Sequence, residues 1–135
     1  MMTLFDAPDR ESSCVRRSRT STAMQSLGLL NETQRVELAR SFAARLLREA
    51  PDDAARVDRM FRLLTCRDPD DAERTACLQL LEQSRARFAA NPADAEALLA
   101  IGEAPRDAEL DAVLQAAWTQ LALTFLASDL CILLY

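Results

Sequence analysis

The chain has 135 residues, enough for one domain that removes roughly two thirds of the unfolded surface from water. Half of the residues are hydrophobic, 27% are charged and only two are glycine, so helices are favoured and both a disordered chain and a turn-rich β fold are excluded. The sequence contains no histidine and no lysine. Histidine-dependent nucleophiles and zinc sites, haem attachment through C-x-x-C-H, Walker loops and Schiff-base chemistry are therefore excluded.

The net charge of −5 argues against binding to nucleic acid. The basic cluster Arg16-Arg17-Ser18-Arg19 has no interleaved aromatic residue, so ion pairing or helix capping is the favoured interpretation. The N-terminal Met1–Asp6 reaches an acidic residue too early for a signal peptide. The apolar stretch 121–135 is too short to span a bilayer, and it predicts a buried helix end.

The four cysteines are spaced too irregularly to predict a metal site or a disulfide. Cys14, Cys66, Cys77 and Cys131 form no C-x-x-C pair. Cys77 shares a helical stripe with apolar residues, which predicts a small buried side chain. We therefore expect no cofactor and no metal in this chain.

In chain order, residues 1–20 predict an extended polar arm and residues 21–135 a helical domain. Thr20 or Thr22 is a suitable N-cap for a short helix through Leu30. The apolar side of this helix is expected to comprise Ala23, Met24, Leu27 and Leu30. Asn31 is expected to end the first helix and to cap a second, over residues 32–50, with an apolar stripe of helical period.

Three further helices and a long last one complete the prediction. Pro51-Asp52-Asp53 predicts the start of a third helix through residue 65, and Asp70 with Glu73 forms a capping box for a fourth through residue 90. Asn91-Pro92 predicts a short helix that ends at Ile101, and Asp107 is the expected cap of the last helix. The fold class is all-α: an irregular bundle of about six helices preceded by an extended N-terminal arm.

The N-terminal third carries a block of motifs. It reads Phe5-Asp6-Ala7-Pro8-Asp9-Arg10, then Arg16-Arg17, then Thr20-Ser21-Thr22, then Gln25-Ser26-Leu27-Gly28-Leu29-Leu30-Asn31. This block resembles the C-terminal part of the planctomycete-type domain of unknown function fifteen fifty-three, the planctomycete PSD-one domain. An Ala-Trp-Thr in the last helix and a leucine-rich end extend the resemblance over nearly the whole chain.

The resemblance implies a piece of a larger, exported protein. Parent proteins of this family often carry a cytochrome c domain upstream, so haem c would lie in that upstream part and not in this chain. Roles in electron transfer or polysaccharide use at the cell surface are suggested for the family. Periplasmic or cell-surface localisation is the corresponding expectation.

The chain departs from the family pattern at two helix starts. Thr22-Ala23-Met24-Gln25 stands where the family shows T-P-L-Q, and Glu32-Thr33 stands where it commonly shows D-P. Each loss of a preset first turn costs up to about 1 kcal/mol. These departures indicate a divergent member or a degenerating fragment of the family, with the same fold, and not a changed chemistry.

The candidate site residues come from the same block. One interpretation places them in a loop whose arginine forks bind a small anion or a sulfated sugar; the favoured one is an ion-pair and capping network that docks the arm on the helices or on upstream domains. Gln25 and Asn31 are interpreted as hydrogen-bonding groups at helix ends. The candidate residues are Asp6, Asp9, Arg10, Arg16, Arg17, Gln25 and Asn31. The expected function is a non-catalytic helical module that packs against the rest of its parent, and the arm site is the alternative.

Overall fold

The structure is a computed structural model that describes residues 22–132. Those residues form helices and connecting turns without a β-strand, which confirms the all-α prediction. The helices are α1 Ala23–Leu30, α2 Thr33–Glu49, α3 Asp53–Thr65, α4 Asp71–Ala90, α5 Pro92–Leu99, α6 Ala112–Leu126 and α7 Asp129–Ile132. The short α7 was not expected, and the predicted arm lies outside the described residues.

Side-chain caps begin most of these helices where the sequence placed them. Thr22 forms a capping box with Gln25 at α1, and Asp70 forms one with Glu73 at α4. Asp52 caps α3 by accepting a hydrogen bond from the backbone N–H of Ala55. These oxygens satisfy N–H groups that have no partner within the helix. The prediction of Asn31 as the cap of α2 was wrong, because the Glu32 carboxylate takes that position.

The beginning of α6 was also wrongly predicted. Asp111, not Asp107, caps this helix and accepts a 2.8 Å hydrogen bond from the backbone N–H of Leu114. Asp107 lies in the preceding segment, where its carboxylate pairs with Arg48 of α2. Both aspartates have the local chemistry of an N-cap, and the ion pair to α2 holds the first of them away from the helix.

α5 ends two residues before the predicted Ile101. Its last residue is Leu99, and the side chain of Asn91 makes no capping hydrogen bond at its start. The carbonyls of Leu99 and Ile101 both accept hydrogen bonds from Arg40. The chain leaves the helix here because a side chain of α2 binds these carbonyls in place of the helical pattern.

α6 is the central helix, and it packs against α2, α4 and α5. Trp118 has no exposed surface, and Leu121 and Phe125 continue its buried face along the helix. The rings of Phe125 and Phe61 meet edge to face with 4.7 Å between their centroids. The apolar stripes predicted for α2 and α3 lie in this core, as Leu46 and Met60 illustrate.

The apolar face predicted for α1 was wrong except at Leu30, which packs against the core beside Val36. The side chains of Met24 and Leu27 are 62% and 51% exposed, whereas Gln25 and Leu29 are buried. Gln25 is drawn inward because its side chain closes the capping box at Thr22. The helix therefore turns a face toward solvent that its own pattern would place in a core.

Ion pairs tie α3 to its neighbours. The Asp53 carboxylate binds both Nη atoms of Arg85 on α4, at 2.7 and 2.9 Å, and also Arg56 at 3.0 Å. Burial raises the pKa of the Asp53 carboxyl, but the two guanidiniums outweigh it and hold the pKa below its ordinary value. Arg74 of α4 binds Asp58 of α3 at 2.8 Å. Together these pairs fix the angle between the two helices.

Among the described carboxyl groups, Glu73 has the pKa that departs most from its ordinary value. Arg67 donates two hydrogen bonds to it, at 2.5 and 2.7 Å, and the backbone N–H of Asp70 donates a third at 2.9 Å. The Arg67 guanidinium lowers the pKa of Glu73 from 4.5 to about 2, against a smaller opposing effect of burial. Protonation of Glu73 therefore weakens the turn before α4.

The Glu73→Gln variant tests this pair. A pKa that is lower in the folded state gives stability that is fully present above about pH 4.5 and is lost as the pH falls toward 2. The variant should be less stable than the original by up to about 1 kcal/mol at pH 7, because the pair is near the surface. The difference should shrink between pH 4.5 and 2 in urea unfolding curves.

Glu82→Gln on the same helix is the control, because Glu82 is exposed and makes no ion pair within residues 22–132. Parallel pH profiles for Glu73→Gln and the original chain would contradict the prediction.

Candidate functional site

Most of the predicted site residues cannot be placed. Asp6, Asp9, Arg10, Arg16 and Arg17 lie outside the described residues. The anion or sulfated-sugar site on the arm therefore stays a prediction, which titration of Arg10→Ala and Arg17→Ala variants with sulfated oligosaccharides would test.

Gln25 and Asn31 are described, and both bind backbone groups at the ends of α1. The Gln25 Oε1 atom accepts a 2.9 Å hydrogen bond from the backbone N–H of Thr22. The Asn31 Nδ2 atom donates to the carbonyl of Leu27 at 2.9 Å. The two residues stand roughly 9 Å apart along the helix axis. They act at separate helix ends and do not form one site.

The main polar site of the described chain lies where α2 meets the segment between α5 and α6. The Glu37 carboxylate accepts hydrogen bonds from the backbone N–H groups of Glu103 at 2.9 Å and of Ala104 at 3.2 Å. One turn later, the buried Arg40 donates to the carbonyls of Leu99, of Ile101 at 3.0 Å and of Ala104 at 2.5 Å. We call this arrangement of Glu37 and Arg40 the α2 clamp. It satisfies the backbone of a turn that has no helical partners.

The α2 clamp requires glycine at position 102. Gly102 has a φ of +104°, which L side chains rarely adopt, and a Cβ there would lie 2.3 Å from the Glu37 Oε2 atom. The carboxylate can approach the neighbouring N–H groups because no side chain stands between them. Gly102, which follows the predicted helix end at Ile101, thus permits a contact between two segments.

A polar pocket of about 530 Å³ adjoins the clamp. Its walls are α2, residues 105–109 and the first turn of α6, and we call it the arginine pocket. Arg40 and Arg48 line it from α2, Arg106 and Asp107 from the loop, and Gln115 from α6. Arg48 pairs with Asp107, and Arg106 pairs with Glu96 at 3.2 Å.

Gln115 is the unusual member of this pocket. The residue is 1% exposed, and both its Oε1 and Nε2 atoms have no hydrogen-bond partner. A buried amide without partners is unfavourable, because it loses its bonds to water and gains none in return. Both amide atoms are inaccessible to solvent, so they face the protein interior and not the open pocket.

Sequence reasoning missed both Arg40 and Gln115. Arg40 falls within the apolar stripe of α2, one position after Ala39, and a charged residue at such a position is a readable sign of a buried polar contact. The sequence gives no such sign for Gln115. The helix α6 is apolar on most sides, so its pattern does not show which residues the tertiary packing buries. The pocket also needs residues 105–109, which were predicted to lie partly in the last helix.

A second, less polar groove of about 540 Å³ lies beside α1. Leu27 and Leu30 line it from α1, and Ile101 and Leu123 from the rest of the bundle. We call it the α1 groove. Met24 lies one turn before Leu27 on the same helix and is likewise exposed.

The three described cysteines are free thiols, two of them half-buried and one exposed. Burial raises the pKa of the Cys77 thiol and of the Cys131 thiol, so both are protonated at neutral pH. Cys66 is exposed and ends α3 in the left-handed conformation, with φ +58°. Within residues 22–132 no three metal-ligating side chains come together, and none of the helices there is long and apolar enough to cross a membrane. Cys14 lies outside those residues.

Replacing Gly102 with alanine tests the clamp. Gly102→Ala should lower the free energy of unfolding by about 1–3 kcal/mol, because the substitution combines backbone strain with a clash against Glu37. Gly28→Ala is the matched control. Gly28 lies inside α1 at an ordinary helical φ, so alanine there should raise stability by up to about 1 kcal/mol. Thermal and urea unfolding of both variants would measure the contrast, and equal effects of the same sign would contradict it.

In the comparison with known proteins, one family model matches the chain. The model of the family described as PSD1, protein of unknown function (DUF1553), matches residues 1–81. The matched segment covers the arm and α1 to α3 and ends within α4, which is shorter than the nearly complete coverage expected from the resemblance. Neither a curated protein nor a solved structure matches the chain. Because the family model covers more than half of the residues, the chain belongs to the DUF1553 family of proteins of unknown function.

Proposed function

We propose that this chain is a non-catalytic interaction module that packs against the preceding part of a larger exported protein. The observation that carries the proposal is the exposed apolar face of α1. Met24 and Leu27 are the most exposed large apolar side chains of that helix, and Leu27 borders the α1 groove. A short helix that turns leucine and methionine toward solvent is typical of a surface that a partner covers.

The position of the groove indicates what covers it. Thr22 caps α1, so residues 1–21 join this helix directly at its N-terminal end. The family model matches the arm and α1 as one continuous segment. We therefore commit to one occupant: an apolar segment of the parent protein from the part that precedes this chain.

The composition supports a role without chemistry of its own. The sequence has neither histidine nor lysine, and burial raises the pKa of the half-buried Cys77 and Cys131 thiols. The comparisons identify no catalytic family. Any haem or catalytic group would then belong to the parent upstream, as the family resemblance implies.

Export and the cytochrome association can be tested on the genome. The reading frame immediately before Met1 should continue upstream and contain a C-x-x-C-H haem-attachment motif. A stop codon directly before Met1 would contradict the proposed parentage.

The Leu27→Glu variant tests the interface itself. The original chain should bind the fluorescent probe ANS and self-associate in light scattering, because the α1 groove is uncovered in isolation. Leu27→Glu should abolish most of both signals. The separately produced preceding part of the protein should bind Leu27→Glu at least about tenfold more weakly than the original chain.

Leu38→Glu is the matched control. Leu38 is 56% exposed, close to the value for Leu27, but it lies on α2 beside Glu37 and Glu103, where apolar contact is unfavourable. This variant should leave all three measurements unchanged. A monodisperse original chain that binds no ANS, or equal effects of the two variants, would contradict the proposal.

A further inference from the structure

We propose that α1 opens from the bundle as a separate element, and that its closing is coupled to occupation of the α1 groove. This inference rests on the proposed function, because it concerns how the same surface takes up the preceding part of the parent. The affinity of the groove for that part then depends on how stable the closed helix is.

α1 is held to the bundle by few buried side chains. Gln25 and Leu29 are its buried residues, and α2 is the helix against which it mainly packs. Leu30 adds a half-buried contact beside Val36. By contrast, α6 buries nine of its side chains and packs against α2, α4 and α5. A segment with few buried contacts opens at a lower free energy than the core does.

The polar groups at the ends of α1 bind within the helix itself. Thr22 and Gln25 close a capping box at its beginning, and the Asn31 Nδ2 atom donates to the carbonyl of Leu27 at its end. Residues 23–30 include no charged side chain, so α1 cannot form ion pairs like those that tie α3 to α4. Its eight residues are also fewer than the roughly 12–15 that an isolated helix needs in water.

The α1 groove lies between this helix and the rest of the bundle. Leu27 and Leu30 line it on the α1 side, and Ile101 and Leu123 line it on the side of the bundle. The groove is complete only while α1 is closed, so the closed fraction of molecules multiplies the affinity for a segment that fills it. An apolar segment in the groove contacts Leu27 and thereby holds α1 closed, which makes the coupling reciprocal.

Native-state hydrogen exchange of the full chain tests the opening without a partner. The backbone amides of residues 27–30, corrected for their intrinsic rates, should exchange at least about a hundredfold faster than those of residues 116–123 in α6. The reason is that α1 opens while the core stays folded. Equal protection of the two sets of amides would overturn the proposal, whether or not the preceding part of the parent binds.

Removing the cap of α1 tests the coupling. Thr22→Ala should speed the exchange of residues 27–30, because the lost cap shifts α1 toward the open state. The separately produced preceding part of the protein should bind this variant about twofold to fivefold more weakly than the original chain. Thr22→Ser, which keeps the hydroxyl group, should exchange and bind as the original chain does.

Asp52→Ala is the matched control. It removes the same kind of side-chain cap from α3, whose Met60 and Phe61 lie in the core. This variant should lower the Tm more than Thr22→Ala does and leave the affinity for the preceding part unchanged.

The binding measurements separate the coupling from the proposed function. Unchanged affinity in Thr22→Ala, or equal losses of affinity in Thr22→Ala and Asp52→Ala, would overturn the coupling alone. If the preceding part does not bind the original chain, the proposed function is overturned and the coupling with it.

Discussion

The guanidinium of Arg40 is buried and donates hydrogen bonds to backbone carbonyls on both sides of Gly102. The segment between α5 and α6 has few partners of its own, so this side chain and Glu37 satisfy its backbone from α2. The central helix α6 begins only after that segment. The α2 clamp therefore fixes the segment that leads into α6, while Trp118 and the other apolar residues of α6 pack in the core.

Local chemistry predicted the helices well because their ends are marked by side chains that act within a few residues. Asp70 and Glu73 form a capping box that can be read directly from the sequence. The stripes of α2 and α3 follow the helical period and are buried as expected. For these elements the same residues decide both the local structure and the packing, so local and tertiary preferences agree.

The errors occur where a tertiary contact decides between equal local alternatives. Asp107 and Asp111 are both suitable caps, and only the ion pair with Arg48 leaves the second one in that role. On α1, Met24 and Leu27 were predicted to be buried and are exposed, because Gln25 turns inward to complete a cap. The candidate pocket could not be predicted for the same reason: Arg40 and Gln115 are distant in sequence, and only the packing of α6 on α2 brings them together.

All side-chain cations of this chain are guanidiniums, since it has neither lysine nor histidine. A planar fork can bridge two acceptors, as Arg85 does with both oxygens of Asp53 and Arg67 with both oxygens of Glu73. Most of the other described arginines pair with a carboxylate of the protein, whereas Arg35 donates to the backbone carbonyl of Leu126 at 3.2 Å. At the arginine pocket, Arg40 closes on backbone carbonyls instead, so its charge has no carboxylate partner among the described residues. The guanidinium of Arg40 therefore holds the segment between α5 and α6 through its backbone carbonyls.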